Sequence, residues 1–552
     1  MKTTLTILPD QTTIEINDDE TILDAIRRQL KSVDLETPCN GKGYCGKCKI
    51  HLISGGVSEL TPREQKALSD DEISDHIRLA CMCTSNGSEP IVIELIKKTA
   101  KSSVLDSYQL GDYTLNPSIG PSSTASDHTP LSANAPAYGI AIDIGTTTIA
   151  SVLLDLSNGE GLAKASCINP QTKIGGDVLS RIEYTMTHDN GLHELSDMIC
   201  QCLDDLSLSL IENAGVRKED VYGYTIAANT TMLHLLLAVD PSSIAMAPYI
   251  PKFTSARTVP ASQLHLTHCR QDASVYCLPS VSAYIGADIV AGIYMSRIYS
   301  TDKDIMFIDI GTNGEIVLSI KGELHSCSCA AGPALEGMNI TCGMRAAEGA
   351  IEHTDYKDGH FIVQTIGNKE AAGICGSGVL ETMAALIRCG GVDASGRISR
   401  NLPSELLGYL TKVEQKKAFC IADGKVPVYF SQGDIRQVQL AKGAILSGFV
   451  ALLEKNQMTL DDLDEVIIAG QFGSYLDEDT LIGVGILPEN ARGKVKYIGN
   501  SSLAGAILCL LDKNVPAKMS EIATDVNYFE LATFPGYTKL LMECLAFPSV
   551  NE

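Results

Sequence analysis

The chain has 552 residues, too many for one hydrophobic core, so three or four domains are expected. Its formal net charge of −24, from 67 acidic and 43 basic side chains, disfavours nucleic acid and anionic membrane faces as partners. It has no apolar run of about 18 residues and no basic leader with an apolar core, which predicts a cytoplasmic protein without membrane contact; the 18 cysteines then read as thiols and ligands, not disulfides.

Residues 3–8 (TTLTIL) and 12–16 (TTIEI) alternate as two strands around a turn. Ile22, Ile26 and Leu30 then mark one face of a helix after Asp18 and Asp19. Next, Cys39, Cys45 and Cys48 stand as C-x5-C-x2-C in PCNGKGYCGKCKI, and Cys81 follows after a long gap in RLACMC. This is the plant-type 2Fe-2S spacing with one extra residue in the first gap. The cluster needs four converging thiolates, and Gly41, Gly43 and Gly46 permit the tight curl that supplies three of them. A structural zinc site also uses four cysteines but usually presents two C-x2-C knuckles, and this stretch has one. Cys83 is a spare thiol beside Cys81. The order strand, strand, helix, loop resembles a β-grasp ferredoxin, and the ferredoxin-like ending RLAC favours Cys81 as the fourth ligand.

Residues 99–136 are rich in Ser and Pro with little periodicity, a composition that predicts a flexible tether between a domain at 1–98 and the remainder. A coil of these 38 residues reaches roughly 34 Å. The alternative is an ordered linker docked through Val104, Leu105, Tyr108 and Leu110.

The text YGIAIDIGTTTIASVLL around Asp143 is echoed by IMFIDIGTNGEIVLSI around Asp309. Each copy is an apolar strand, Asp-Ile-Gly-Thr, and another apolar strand, which reads as a hairpin with a tight glycine turn. Amides and Thr hydroxyls at such turns can bind phosphate, and the aspartate can hold Mg²⁺, often through water. Asp143, Gly145, Thr146 and Thr147 are therefore candidates on one side of a nucleotide, and Asp309, Gly311, Thr312 and Asn313 on the other. Asp143 and Asp309 are the stronger candidates, because a carboxylate ending an apolar strand is costly unless it has a role. Glu315 is a candidate for orienting the attacking water, with a solvated loop carboxylate as the alternative.

The duplication resembles the actin, Hsp70 and sugar-kinase ATPase superfamily, which implies lobes at 137–301 and 302–552 with a C-terminal return to the first. VIIAGQFGSYLD, with Gly470 and Gly473, looks like the turn that closes over adenosine, and YIGNSSLAGAIL like the helix that crosses back between the lobes. The turns at Gly332 and Gly376 look like further linings of the cleft.

Ferredoxin loop, linker and ATPase blocks together, with AANTTMLHLLL and PSVSAYIGADIVAG between them, resemble the reductive activators of corrinoid proteins over nearly the whole chain. The resemblance implies an α/β multidomain protein that uses ATP, Mg²⁺ and a 2Fe-2S cluster to return a corrinoid protein from inactive Co(II) to Co(I). It also implies an upstream low-potential electron donor. A plant-type cluster sits near about −400 mV. A gap on the order of 100–200 mV to the cobalt couple disfavours transfer by roughly 50- to 2,500-fold. ATP would offset it by favouring one arrangement of activator and partner.

Three rival readings share these motifs: an electron donor to another target such as a radical dehydratase, an ATP-gated redox-sensing module, and a metabolite kinase with an appended ferredoxin. Cys327, Cys329, Cys342 and Cys375 suggest a second cluster but read better as core thiols, and His234 as a core histidine rather than a cobalt ligand. The oligomeric state stays open, with a homodimer as one candidate.

Overall fold

The computed structural model describes residues 2–8, 11–30, 35, 41, 43, 46, 48–87, 89–95, 110–111, 113–117, 119, 136–413, 415–470 and 476–549. Cys39, Cys45, Gly473 and most of the 99–136 stretch lie outside them.

The N-terminal strands β1 (Lys2–Leu8), β2 (Thr12–Asn17), β3 (Lys49–Ser54), β4 (Ile77–Leu79) and β5 (Ile91–Leu95) form a sheet in the order β2-β1-β5-β3-β4. The first two pair as the expected hairpin, and β5 joins β1 in parallel. Thr21 caps the helix Ile22–Gln29 by accepting the Asp24 N–H at 3.0 Å, which satisfies one of the orphan donors of the first turn. Its buried face, with Leu23 and Ile26, packs on Leu5, Ile16, Ile50 and Ile93, while Leu30 serves as the C-cap.

The first lobe contains β6 (Tyr138–Ile144), β7 (Thr148–Asp155), β8 (Gly161–Ile168), β9 (Val221–Ala228), β10 (Arg257–Pro260) and β11 (Ser274–Cys277), in the order β10-β11-β9-β6-β7-β8. The second repeats the plan with β12 (Asp304–Ile310), β13 (Gly314–Ile320) and β14 (Glu323–Cys329). Two further sheets follow, one of β15 (Ala350–Lys357), β16 (His360–Thr365) and β17 (Gly373–Ile374), the other of β18 (Leu410–Val413), β19 (Lys416–Ala422) and β20 (Val428–Ser431). Then β21 (Glu465–Ala469), β22 (Val495–Gly499) and β23 (Asn527–Tyr528) return to complete the order β22-β21-β12-β13-β14-β23. In both lobes the first strand of the hairpin lies antiparallel to the second and parallel to a later strand, β9 or β21.

Both β6 and β12 are buried from their second residue to their last except at the aspartate, which keeps an edge toward the space between the lobes. The helix Ser501–Leu511 crosses back and packs on the helix Ala287–Ser296 so closely that a Cβ on Gly505 would lie 2.5 Å from that of Ala291. Thr225 on β9 donates to the Ala506 carbonyl at 2.6 Å, which fixes the crossing helix on the first lobe.

Within 99–136, Leu110 and Ile119 pack on the first-lobe core. Asn116 bridges to Asp512, donating to the Leu511 carbonyl at 2.8 Å and accepting from Lys513 at 2.9 Å. Val104, Leu105 and Tyr108 lie outside the described residues. Among the described residues no helix is long and apolar enough to cross a membrane.

Candidate functional site

At the ferredoxin end, Cys48 precedes β3 and Cys81 follows the edge strand β4, so pairing of these two strands brings the buried thiols to 3.2 Å. Gly43 has φ +78° and a Cβ there would meet Met82 Sδ at 2.7 Å; Gly41, at φ +80°, faces Leu23 and Cys81. The donor chemistry and this glycine-lined cradle fit a thiolate-held iron-sulfur group, with Cys39 and Cys45 outside the described residues. Cys83 is fully buried beside Arg78 and Glu64, and burial pushes its thiol up to about 12. It is a core thiol.

Around the first phosphate loop the carbonyls are taken by the protein. Asn169 donates to the Gly145 carbonyl at 2.9 Å, and its own N–H donates to the Thr147 carbonyl at 2.9 Å. Arg181, fully buried, donates to the Thr146 carbonyl, to the Gly175 carbonyl at 3.0 Å and to Gln171 at 3.1 Å. Burial lowers its pKa to about 10. Asn229 donates to the Thr146 hydroxyl oxygen at 3.1 Å. With its carbonyls held, the loop keeps amides and hydroxyls for a ligand. Asp143 accepts from Ser502 at 2.7 Å and from Asn500 at 3.0 Å, both at the start of the crossing helix.

The second loop is one residue shorter. Gly145 donates to the Thr148 carbonyl, but Gly311 donates to that of Asn313. Asp309 therefore stands opposite Glu315 on β13, whereas Asp143 stands opposite Ala150 on β7. Glu336 accepts from Thr312 at 2.7 Å, and the Thr147 side chain of the first loop also favours its charged form, so one carboxylate senses the loops of the two lobes. Five carboxyls thus gather here, and burial raises the pKa of each: Asp143, Asp288, Asp309 (to about 7), Glu315 and Glu336. Asp143 pushes on Asp288, and Asp288 on Asp309 and Glu315. Such a group is poised for a cation, although among the described residues no three acidic, His or Cys side chains form a direct metal-ligand set.

On the expected adenosine side Gly470, at φ +97°, leaves β21 so close to Asp309 that a Cβ would meet its Oδ1 at 2.7 Å. Gly332, at φ +76°, has open space where its Cβ would stand, and Gly376 opens the helix Gly376–Arg388. The Asn313 side chain works against burial by favouring the charged form of Glu315. Arg345, with its Nη1 buried and unpartnered, is held down by burial, and the Arg27 charge from the ferredoxin helix adds to this. Lys173 is lowered in the same way. Arg27 of the cluster domain therefore lies near enough to Arg345 and Lys173 for its charge to act on both.

Cys327, Cys329 and Cys375 each donate to a backbone carbonyl, and Cys342 accepts from the Tyr429 N–H; they are core thiols. His234 stacks on Phe253 at 4.3 Å and bonds the Thr230 carbonyl at 2.7 Å within the core. Sequence reasoning missed Asp288, Glu336, Asn500, Ser502, Asn169, Arg181 and Asn229. Asp288 and Glu336 carried a signal, since each is an acidic residue inside an apolar, glycine-rich block.

Family models match three consecutive regions: a 2Fe-2S iron-sulfur cluster binding domain at 5–85, the RACo middle region at 138–301 and the RACo C-terminal ASKHA domain at 303–552. The corrinoid activation enzyme RamQ of Eubacterium limosum is 30% identical, with 92% of this chain and 93% of the relative covered. A Methanosarcina barkeri reductase of the Co(II) methylated-amine-specific corrinoid protein is 25% identical, covering 71% and 73%. The solved structure of a reductive activator for a corrinoid iron-sulfur protein superposes with a TM-score of 0.73 at 29% identity, covering 100% of this chain and 99% of that one. With the 2Fe-2S domain, the middle region and the ASKHA domain in one order and a relative matched over more than nine tenths of both chains, this chain belongs to the family of reductive activators of corrinoid proteins.

Proposed function

We propose that this protein uses ATP to drive one-electron reduction of a corrinoid protein from Co(II) to Co(I). The observation that carries the reading is Glu336, which accepts from the Thr312 hydroxyl of the second-lobe loop at 2.7 Å and is held toward its charged form by Thr147 of the first-lobe loop, in a chain built like named corrinoid activators. A group that senses both loops responds to whatever sits between them.

In this reading Thr146 and Thr147 with Gly145, and Thr312 and Asn313 with Gly311, receive the phosphates from opposite sides. Asp143 and Asp309 would hold Mg²⁺, which suits their raised pKa values, because a divalent cation stabilises the carboxylate form that burial disfavours. Glu315 orients the attacking water, Asp288 supports the cation, and Gly332, Gly376, Gly470 and Gly473 line the adenosine side. A 2Fe-2S group bound to Cys39, Cys45, Cys48 and Cys81 supplies single electrons at low potential. The chain's own part is to hold that group in the cradle of Gly41 and Gly43, to press the Arg27 charge toward Arg345, and to change the lobe arrangement when nucleotide enters. ATP then shifts the equilibrium in proportion to its differential affinity for the two arrangements. An upstream low-potential donor refills the electron, and the work is cytoplasmic.

The test is ATP turnover with and without a Co(II) corrinoid protein under anaerobic conditions. The partner should stimulate turnover. If it neither binds nor stimulates while a radical dehydratase does, that alternative takes its place.

A further inference from the structure

Outside the cluster loop one more pair of thiols meets among the described residues. Cys167, near the end of β8, and Cys202, on the helix Gly191–Ala214, bring their Sγ atoms to 3.1 Å. Both are partly exposed, unlike the sealed thiols of Cys277, Cys327, Cys329 and Cys509. They sit on different elements, 35 residues apart in sequence, and both pack against the same first-lobe core, so bond formation needs side-chain approach and no refolding. The hydrogen bond between the two sulfurs, with burial, keeps the proton on Cys167, while the Arg345 guanidinium works in the opposite direction.

The position of Cys167 matters as much as its neighbour. In the β7–β8 register it stands opposite Ile149, one residue beyond the phosphate loop. Two residues later Asn169 holds the Gly145 and Thr147 carbonyls of that loop. Any pull on this strand end is therefore felt where the loop is fixed.

We propose that Cys167 and Cys202 are a disulfide-forming modification site whose oxidant is a low-molecular-weight disulfide, and that bond formation slows ATP turnover through Asn169. The Cys202 thiolate attacks one sulfur of the small disulfide and releases one small thiol. Cys167 then loses its proton and displaces the second small thiol as the Cys167–Cys202 bond forms. The protein dithiol is oxidised by two electrons, the small disulfide is reduced by two, and the two protons leave on the small thiols. In a reducing compartment the bond forms only when the thiol pool is oxidised, which suits a protein whose electrons would then be wasted.

The coupling to ATP rests on the phosphate-loop reading above; bond formation does not. The experiment is anaerobic incubation of the full-length, cluster-loaded protein with glutathione disulfide. Non-reducing peptide mass spectrometry, ATP turnover and cluster absorption are followed together. The expected result is a linked pair of peptides containing Cys167 and Cys202, a several-fold fall in ATP turnover reversed by dithiothreitol, and unchanged cluster absorption. The variant Cys202→Ser should keep the reduced protein's turnover and lose the sensitivity. The site is overturned if both cysteines remain fully alkylatable after prolonged incubation. The coupling is overturned if the linked peptides form at unchanged turnover. If the reduced protein turns over no ATP, the phosphate-loop reading fails, and the mass spectra still decide whether the bond forms.

Discussion

Asp309 faces Glu315 across the β12–β13 ladder, whereas Asp143, its counterpart in the first lobe, faces Ala150. Two carboxyls directly opposite repel when both are ionised, so the pair either shares protons or binds a cation. The asymmetry comes from one residue, the shorter turn of the second loop, and it separates the roles of the two lobes. Asp309→Asn should lower ATP turnover at least roughly a hundredfold if the aspartate aids both magnesium binding and charge neutralisation. Glu315→Gln should cost roughly ten- to a thousandfold in kcat with a small change in KM. Steady-state kinetics of both variants, with cluster absorption unchanged, check this.

The same burial makes a pH statement. Asp309 is raised from 3.8 to about 7, so the folded protein holds its proton longer than the unfolded chain. Its contribution to stability is therefore most favourable below pH about 4 and is lost as pH rises toward about 7. In the absence of nucleotide, Asp309→Asn should gain stability relative to the parent as pH climbs through that window. Mg²⁺-ATP should shrink the difference. Thermal unfolding of parent and variant at several pH values measures it, and a difference that is flat with pH would contradict the assignment.

Cys83 lies beside Cys81 in sequence but is sealed in the core with its thiol pushed up to about 12. Cys83→Ser should leave the visible spectrum of the cluster in place, while Cys48→Ala and Cys81→Ala should bleach it. Iron and sulfide analysis of the three variants decides which thiols are ligands.

Among the described residues no carboxylate is hydrogen-bonded to buried Arg181, which donates to the Thr146 and Gly175 carbonyls, to Gln171 and to the Met232 sulfur. Arg181→Met removes the charge and leaves the Thr146 carbonyl without that donor. A hydrogen bond to a charged group is worth about 1.5–3 kcal/mol, so ATP affinity should weaken by roughly ten- to a hundredfold. Nucleotide titration by calorimetry reads this directly, with the iron content as the control for folding.

The duplicated hairpins, the ferredoxin strands and the crossing helix were legible because each has local text: alternation before the cysteines, Asp-Ile-Gly-Thr twice, and a small-residue helix after Asn500. The network that completes the site was not. Arg181, Asn169 and Asn229 come from three separate segments, and only the tertiary fold brings them to Gly145, Thr146 and Thr147. The pairing of Asp309 with Glu315 was hidden for another reason, because it depends on a one-residue difference in turn length that becomes meaningful only once strand register is known. Asn116 shows the same limit. Nothing in a Ser- and Pro-rich stretch announces a residue that bridges to Asp512, 396 positions later.

The measurement that bears most directly on function is anaerobic absorption spectroscopy of the full-length, reduced protein mixed with a Co(II) corrinoid protein. Adding Mg²⁺-ATP should replace the Co(II) bands with those of Co(I). Omitting ATP, or using Asp309→Asn or Cys81→Ala, should nearly stop the change. Equal Co(I) formation with and without ATP, or none with cognate corrinoid proteins while ATP is consumed, would contradict ATP-driven corrinoid reduction.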